Sequence, residues 1–225
     1  MLPRCVWAMP SKGTFNLHAS LLPRYRGAAP RNWAIINGER ESGVTTFMLN
    51  ERIDEGAILM QERTPIYDSD DAGTLHDRLM TMGSGLVLKT IEGIADGTLQ
   101  ATAQTVPDGD IPGAPKIFRD TCKIDWAQEG EKVQNFIRGL SPYPAAFTTV
   151  EEQGEEVQLK IYETTFEKNG KNEVGNILSD GKTFLKIGVT DGFIAIKSLQ
   201  MSGKKRNCIK NFLIGHNITH WKLNK

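Results

Sequence analysis

TFNLHASLLPRYRGAAP, residues 14–30, opens as a strand and breaks into a loop, and the rest of the chain is arranged around it. Side chains alternate along a strand, so over Thr14 to His18 the pair Asn16 and His18 project to one side. Phe15 and Leu17 point the other way, into packing. Ser20, Pro23 and Gly27 then suit a sharp loop rather than a continuing strand. An amide and an imidazole at the carboxyl end of a strand form a candidate reaction site in an α/β sheet. A carboxylate stands downstream: Asp54, in IDEG, follows the apolar run Val44 to Leu49.

These three residue types suit one chemistry. An Asn amide donates to a developing oxyanion, a His donates or accepts a proton, and a carboxylate orients the His or takes a proton from an attacking amine. Together they describe acyl or formyl transfer through a tetrahedral intermediate. The plainer reading is a structural histidine and a turn-forming aspartate.

The chain has 225 residues, room for one large domain or two small ones. With 39% apolar and 24% charged residues it has an ordinary soluble composition. Lys+Arg and Asp+Glu both number 27, so any nucleic acid contact must rest on local basic patches rather than on net charge. Cys5, Cys122 and Cys208 are odd in number, widely spaced and without metal-ligand spacing, which reads as reduced thiols. No run is long and apolar enough to span a membrane, and no signal peptide opens the chain, so the cytoplasm is the expected location.

Pro30 to Ile36, closed by Asn37-Gly38, reads as a helix with Trp33, Ala34 and Ile36 inward. Arg24, Tyr25 and Arg26 before it either hold an anionic group or form a solvated loop. Gly43 to Asn50 and Ala57 to Ile66 read as a hairpin with Asp54 near its tip. Asp70 to Asp96 reads as the longest helix, capped by Thr74 with Asp77. Its apolar stripe runs through Leu75, Leu79, Met82, Leu86 and Ile91, weakened by Gly83 and Gly85. His76 reads as an ordinary surface or packing histidine. Residues 101–115, rich in Pro, Gly and Asp, read as an interdomain linker. Beyond them come a short helix, Glu129 to Gly139, and five short strand-like runs between Ala146 and Met201, the pattern of a small β-barrel. Lys204, Lys205 and Arg206 form the basic cluster there, and the tail from Gly215 to Lys225 shows no clear pattern.

The motif N-x-H-x-S-L-L-P-x-x-R-G-A-x-P, followed by Gly43-Val44-Thr45 and the I-D-x-G turn, resembles the folate-dependent formyltransferases. Later segments, KIDW at 123–126, IRGLSPYPAA at 137–146 and GKKR at 203–206, favour the branch that acts on methionyl-tRNA. The resemblance implies an α/β fold: the C-terminal part of a doubly wound formyltransferase domain over residues 1–100 and a linker over 101–115. An OB-like barrel follows over 116–213, and residues 214–225 stay unassigned. It implies Asn16, His18 and Asp54 as the catalytic trio, Ser20, Leu21, Leu22, Pro23, Arg26 and Gly27 as substrate-binding residues, and Lys204, Lys205 and Arg206 as tRNA contacts. It further implies 10-formyltetrahydrofolate as formyl donor, initiator methionyl-tRNA as acceptor, no metal and a monomer. The alternatives are a formyltransferase for an amino sugar or other small amine, and an inactive fragment with residual tRNA binding. Met1 matches an internal position of the family, so about 60 residues or more, two βαβ units, are expected to be missing ahead of it. Two positions depart from the family pattern. Glu55 replaces the usual Thr after the catalytic Asp, which would disfavour ionisation of the pair if both faced the cleft. Arg31 replaces a residue that is more often apolar, and offsets Glu55 only if the two are close.

Overall fold

The computed structural model describes residues 2–106, 109 and 111–223. Two compact units emerge: Met1–Ala34 with Glu39–Ile117, and Ile35–Gly38 with Phe118–Lys225. No helix among the described residues is long and apolar enough to cross a membrane.

The first unit begins with the short helix α1 (Arg4–Trp7) and strand β1 (Phe15–His18). After helix α2 (Pro30–Ile36) come strands β2 (Glu41–Met48) and β3 (Ile58–Pro65) and the long helix α3 (Ala72–Ala95). The three strands form an antiparallel sheet in the order β1-β2-β3. Register places Asn16 opposite Phe47 and His18 opposite Thr45. The hairpin is present, with a bulge at Thr46/Phe47 where β3 begins. Its residues Val44, Thr45, Thr46 and Phe47 are all buried, as β-branched and aromatic residues of a covered central strand should be.

Helix α3 is where expected but turned. Its cap is Asp71, whose side chain accepts the Thr74 N–H while the Thr74 hydroxyl accepts the Asp71 N–H. The pair Thr74 and Asp77 does not form the cap. Its buried face runs through Ala72, Leu75, Leu79, Gly83, Leu86, Thr90 and Gly93, whereas Ile91 is exposed. Gly83 decides the turn, because a Cβ there would lie 2.6 Å from Leu17 Cδ2. A larger residue at 83 would require the end of the Leu17 side chain to move aside. Beside it, the hydroxyls of Thr46 and Thr90 bond at 2.9 Å in the core. Lys12 Nζ donates to the Ile94 and Ala95 carbonyls at 3.2 and 3.1 Å, a cation at the helix C-terminus.

Asp70 anchors the start of α3. Its buried carboxylate accepts from Arg78 Nη2 at 2.6 Å, the Tyr67 N–H at 2.8 Å and the Thr74 hydroxyl at 3.0 Å. Burial alone would raise this carboxyl, but the hydrogen bonds from Arg78, Tyr67 and Thr74 with the Arg78 charge outweigh it and hold it below its ordinary value. A carboxyl depressed by folding stabilises above its unfolded value, near about 4, and loses that contribution as pH falls through its folded value. The urea midpoint of the first unit is therefore expected to drop in that acid window. Asp70→Asn is expected to have a lower midpoint at neutral pH and a smaller drop on acidification; equal drops in the two proteins would contradict this role.

Within the 101–115 stretch, Thr102 and Ala114 pair with the first unit. Thr102 and Ile58 exchange both backbone hydrogen bonds, at 2.7 and 2.8 Å. Ala114 pairs with the 26–29 segment, its carbonyl accepting from Ala28 at 2.7 Å and Ala29 at 3.2 Å, and Trp33 Nε1 donates to the Pro115 carbonyl at 2.8 Å. On α2 the buried residues are Asn32, Ala34 and Ile35; Trp33 and Ile36 are half-exposed.

The second unit holds a short 3₁₀ turn at Asp120–Cys122, helix α4 (Gly130–Leu140) and strands β4 (Ala146–Glu152), β5 (Glu155–Lys168), β6 (Ile177–Ser179), β7 (Leu185–Val189) and β8 (Gly192–Met201). Strand β9 (Asn207–Cys208), helix α5 (Ile209–Gly215) and strand β10 (Lys222–Leu223) complete it. The sheet is antiparallel in the order β10-β4-β5-β8-β7-β6, with β9 also on β8, the strand set of a small barrel domain. Leu159, Ile161, Leu185, Ile187, Ile194, Ile196 and Leu199 are fully buried, and α4 adds Val133, Ile137 and Leu140. Up to residue 223 the tail makes specific contacts. His216 stacks on Phe212 at 4.1 Å and donates from Nδ1 to the Phe212 carbonyl, and Trp221 bonds Glu152 as β10 joins β4.

Candidate active site

His18 is 7% exposed and held from two sides. Its Nε2 lies 2.8 Å from the Tyr25 carbonyl. A carbonyl only accepts, so Nε2 carries the proton, and in the neutral ring Nδ1 keeps its lone pair. Nδ1 lies 3.7 Å from Asp54 Oδ2, and the same oxygen accepts the Gly27 N–H at 2.9 Å. Proton acceptor and carboxylate are thus adjacent, while the other ring nitrogen serves as the anchor.

Both partners of His18 sit on strained backbone. Tyr25 has φ +59° and Asp54 φ +55°, a left-handed region unfavourable for residues with a Cβ. Two such residues flanking one imidazole place the stored strain at the candidate chemistry. Asn16, two residues before His18, is exposed on β1. Its Oδ1 accepts the Leu17 N–H at 2.9 Å, so the donor end of the amide is the end left for a ligand.

The 20–29 loop is tied down throughout. The Thr45 hydroxyl, opposite His18 in register, donates to the Ser20 carbonyl at 2.6 Å and accepts the Leu22 N–H at 3.2 Å. Gln61 Nε2 donates to the Leu22 carbonyl at 2.8 Å. Ser20, Leu21, Leu22 and Pro23 line a cavity of about 340 Å3 walled also by Glu39, Glu41 and Arg63, and none of Asn16, His18 and Asp54 borders it. Arg26 and Gly27 are not among its walls and sit beside Asp54 instead. The predicted substrate-binding residues therefore divide between two surroundings.

The basic residues of the loop are engaged internally. Arg24 pairs with Glu39, and the buried Tyr25 donates its hydroxyl to the same carboxylate at 2.7 Å. Arg24 keeps an exposed side chain, Tyr25 is buried, and Arg26 is half-buried against Gln104 and Glu55. Glu55 faces Arg26 and Arg52, each at 3.3 Å, so its charge beside Asp54 is offset by those two guanidiniums. Arg31 does not take that part; it meets His76 Nδ1 at 3.1 Å. No group of three or more metal-ligating side chains occurs among the described residues.

Sequence reasoning missed Thr45, Gln61 and Gln104. Thr45 is legible as a β-branched strand residue, but nothing in its neighbourhood announces a polar role. Gln104 is isolated in a Pro- and Gly-rich stretch.

In the second unit Lys204 and Lys205 are exposed, beside a groove lined by Gln158, Lys160 and Gln200. Arg206 is occupied: Nε donates to Ser198 Oγ at 2.7 Å, and its guanidinium lies 4.4 Å from the centre of the Tyr162 ring.

Residues 1–91 match the family described as formyl transferase, and residues 116–217 match its C-terminal domain. A methionyl-tRNA formyltransferase of Bacteroides thetaiotaomicron is 48% identical over 100% of this chain and 71% of that protein. Among solved structures, HypX from Aquifex aeolicus in complex with tetrahydrofolic acid superposes with a TM-score of 0.69 at 22% identity, over 97% of this chain and 37% of that one. The N-formyltransferase of Helicobacter canadensis, in complex with folinic acid and dTDP-3-aminofucose, gives 0.63 at 24% identity, over 86% of this chain and 66% of that one. These two likenesses carry the fold; the Bacteroides relative carries the family. The chain belongs to the methionyl-tRNA formyltransferase family.

Proposed function

We propose that the protein transfers the formyl group of 10-formyltetrahydrofolate to the amino group of methionine on initiator tRNA, in the cytoplasm. The observation that carries this reading is His18 held through Nε2 by the Tyr25 carbonyl, with Nδ1 beside Asp54. The methionine amine forms a C–N bond to the formyl carbon and the carbonyl oxygen becomes an oxyanion. Asn16 donates to that oxygen. His18 Nδ1 takes the proton that the amine loses, and the Asp54 carboxylate stabilises the imidazolium that results. Collapse of the intermediate breaks the bond to the folate nitrogen, which leaves with the proton from His18. The folate is a co-substrate here, and no metal takes part in these steps.

Lys204 and Lys205 are proposed as phosphate contacts for the tRNA. Arg206, committed to Ser198 and Tyr162, acts instead as the support that shapes their turn. The joint variant Lys204→Ala/Lys205→Ala is expected to raise KM for tRNA, leave kcat unchanged, and reduce the salt-dependence slope of binding by about one per lysine lost. An unchanged slope would remove both residues from the interface.

Two measurements test the function. Titration with a folate should give saturable binding with a defined stoichiometry, the result an inert fragment would not give. Formylation of methionyl-tRNA should exceed that of a nucleotide-linked amino sugar. Preference for the sugar would transfer the site to small-amine chemistry.

A further inference from the structure

We propose that Gln104 is the positioning residue that holds the strained Asp54 turn against His18. The proposal rests on the formyl-transfer reading for its consequence in catalysis, and on geometry alone for the clamp.

Every hydrogen-bonding position of the Gln104 amide is used. Nε2 donates to the Asp54 carbonyl and to the Gly56 carbonyl, both at 2.8 Å. Oε1 accepts from Arg26 Nη2 at 2.6 Å and Nε at 3.2 Å. The amide cannot be reversed, since its oxygen would then face two carbonyls and its NH2 group a guanidinium. One side chain thus grips the turn on both sides of Glu55 and the residue preceding Gly27, whose N–H meets Asp54 Oδ2. The backbone carrying Gln104 is itself fixed two residues earlier, where Thr102 and Ile58 exchange hydrogen bonds. Asp54 at φ +55° needs such over-determination, because a left-handed residue relaxes when its surroundings release it. Gly56 leaves the turn no slack, a Cβ there falling 1.6 Å from the Met48 carbonyl oxygen.

The test is Gln104→Glu, which keeps the acceptor for Arg26 and turns a carboxylate oxygen onto the two carbonyls. Exchange of the Gly27 amide proton is expected to accelerate about tenfold, the loss of one ordinary hydrogen bond. The Leu49 amide, bonded to the Thr14 carbonyl at 2.8 Å, should keep its rate. Turnover is expected to fall about 10- to 100-fold with little change in KM for either substrate. In an Asp54→Asn background the same change should cost almost nothing, because a residue that acts through Asp54 has nothing left to position. A purely structural role would cost equally in both backgrounds, and that result overturns the proposal. So does a folded Gln104→Glu with unaltered Gly27 exchange. Gln104→Met, which removes the donors without adding charge, serves if the glutamate variant does not fold. Absence of formyl transfer in the unaltered protein would sink the functional reading but leave the exchange result to decide the clamp.

Discussion

His18→Ala is expected to lower turnover of methionyl-tRNA by about 10²- to 10⁴-fold, the range spanned by a positioned general acid–base. The amide of Asn16 cannot take its place, because it has no basic nitrogen to accept the amine's proton. The change also leaves the Tyr25 carbonyl without its 2.8 Å donor and removes the edge contact of His18 with Phe47. A stability loss of about 1 kcal/mol follows from the lost hydrogen bond. Denaturation curves separate the two effects, since rates compared where both proteins are folded report the chemistry alone. Asn16→Ala, at an exposed residue whose Oδ1 accepts its neighbour's N–H, should lose about 10²-fold in turnover with the urea midpoint unmoved. His18→Ala within threefold of the unaltered rate would dismiss the imidazole from the reaction.

Gly27→Ala is expected to damage both fold and site. Gly27 has φ +123°, and a Cβ there would lie 2.4 Å from the Ala114 oxygen and 2.9 Å from its carbon. These are backbone atoms and cannot swing aside. If the Ala114 segment retreats, the bonds from Ala28 and Ala29 to its carbonyl, and from its N–H to the Arg26 carbonyl, go with it. If residue 27 retreats instead, Asp54 loses its N–H donor. Backbone strain and a lost hydrogen bond or two together predict about 2–4 kcal/mol of destabilisation. Turnover is expected to drop at least about tenfold through displacement of Asp54. Urea denaturation and steady-state kinetics on the one variant check both parts; a wild-type midpoint would mean that the approach of Gly27 to Ala114 is not tight in solution.

The parts of this molecule legible in the sequence are those whose signal is local. Strand β1 with its loop, the β2–β3 hairpin and α4 all carry periodicity or turn residues within a few positions of themselves. Helix α3 shows where that signal ends. Its existence follows from apolar spacing, but its buried face passes through Gly83, Thr90 and Gly93, chosen for close approach and a buried hydroxyl pair, so an apolar count places the stripe wrongly. The tail fails for another reason. Lys222–Leu223 is a two-residue strand paired with β4 some seventy positions earlier, and its partners are invisible at short range. At the site, residue types suggested Asn16, His18 and Asp54, while the parts that hold them, the Tyr25 carbonyl, the Gly27 amide and Gln104, are backbone groups or a lone glutamine without pattern. The internal partners of Arg24, Tyr25 and Arg26, which are Glu39, Gln104 and Glu55, are likewise distant in sequence and appear only on folding.

The pairing of His18 with Asp54 is tested by Asp54→Asn, through the single-turnover rate of formylmethionyl-tRNA formation compared with the unaltered protein. The substitution keeps an oxygen for the Gly27 N–H and the shape of the turn while removing the charge beside His18 Nδ1. The unaltered protein is expected to form formylmethionyl-tRNA, and the variant to do so about 10²-fold or more slowly with Gly27 amide exchange preserved. Equal rates in the two proteins, with the fold intact, would contradict that expectation.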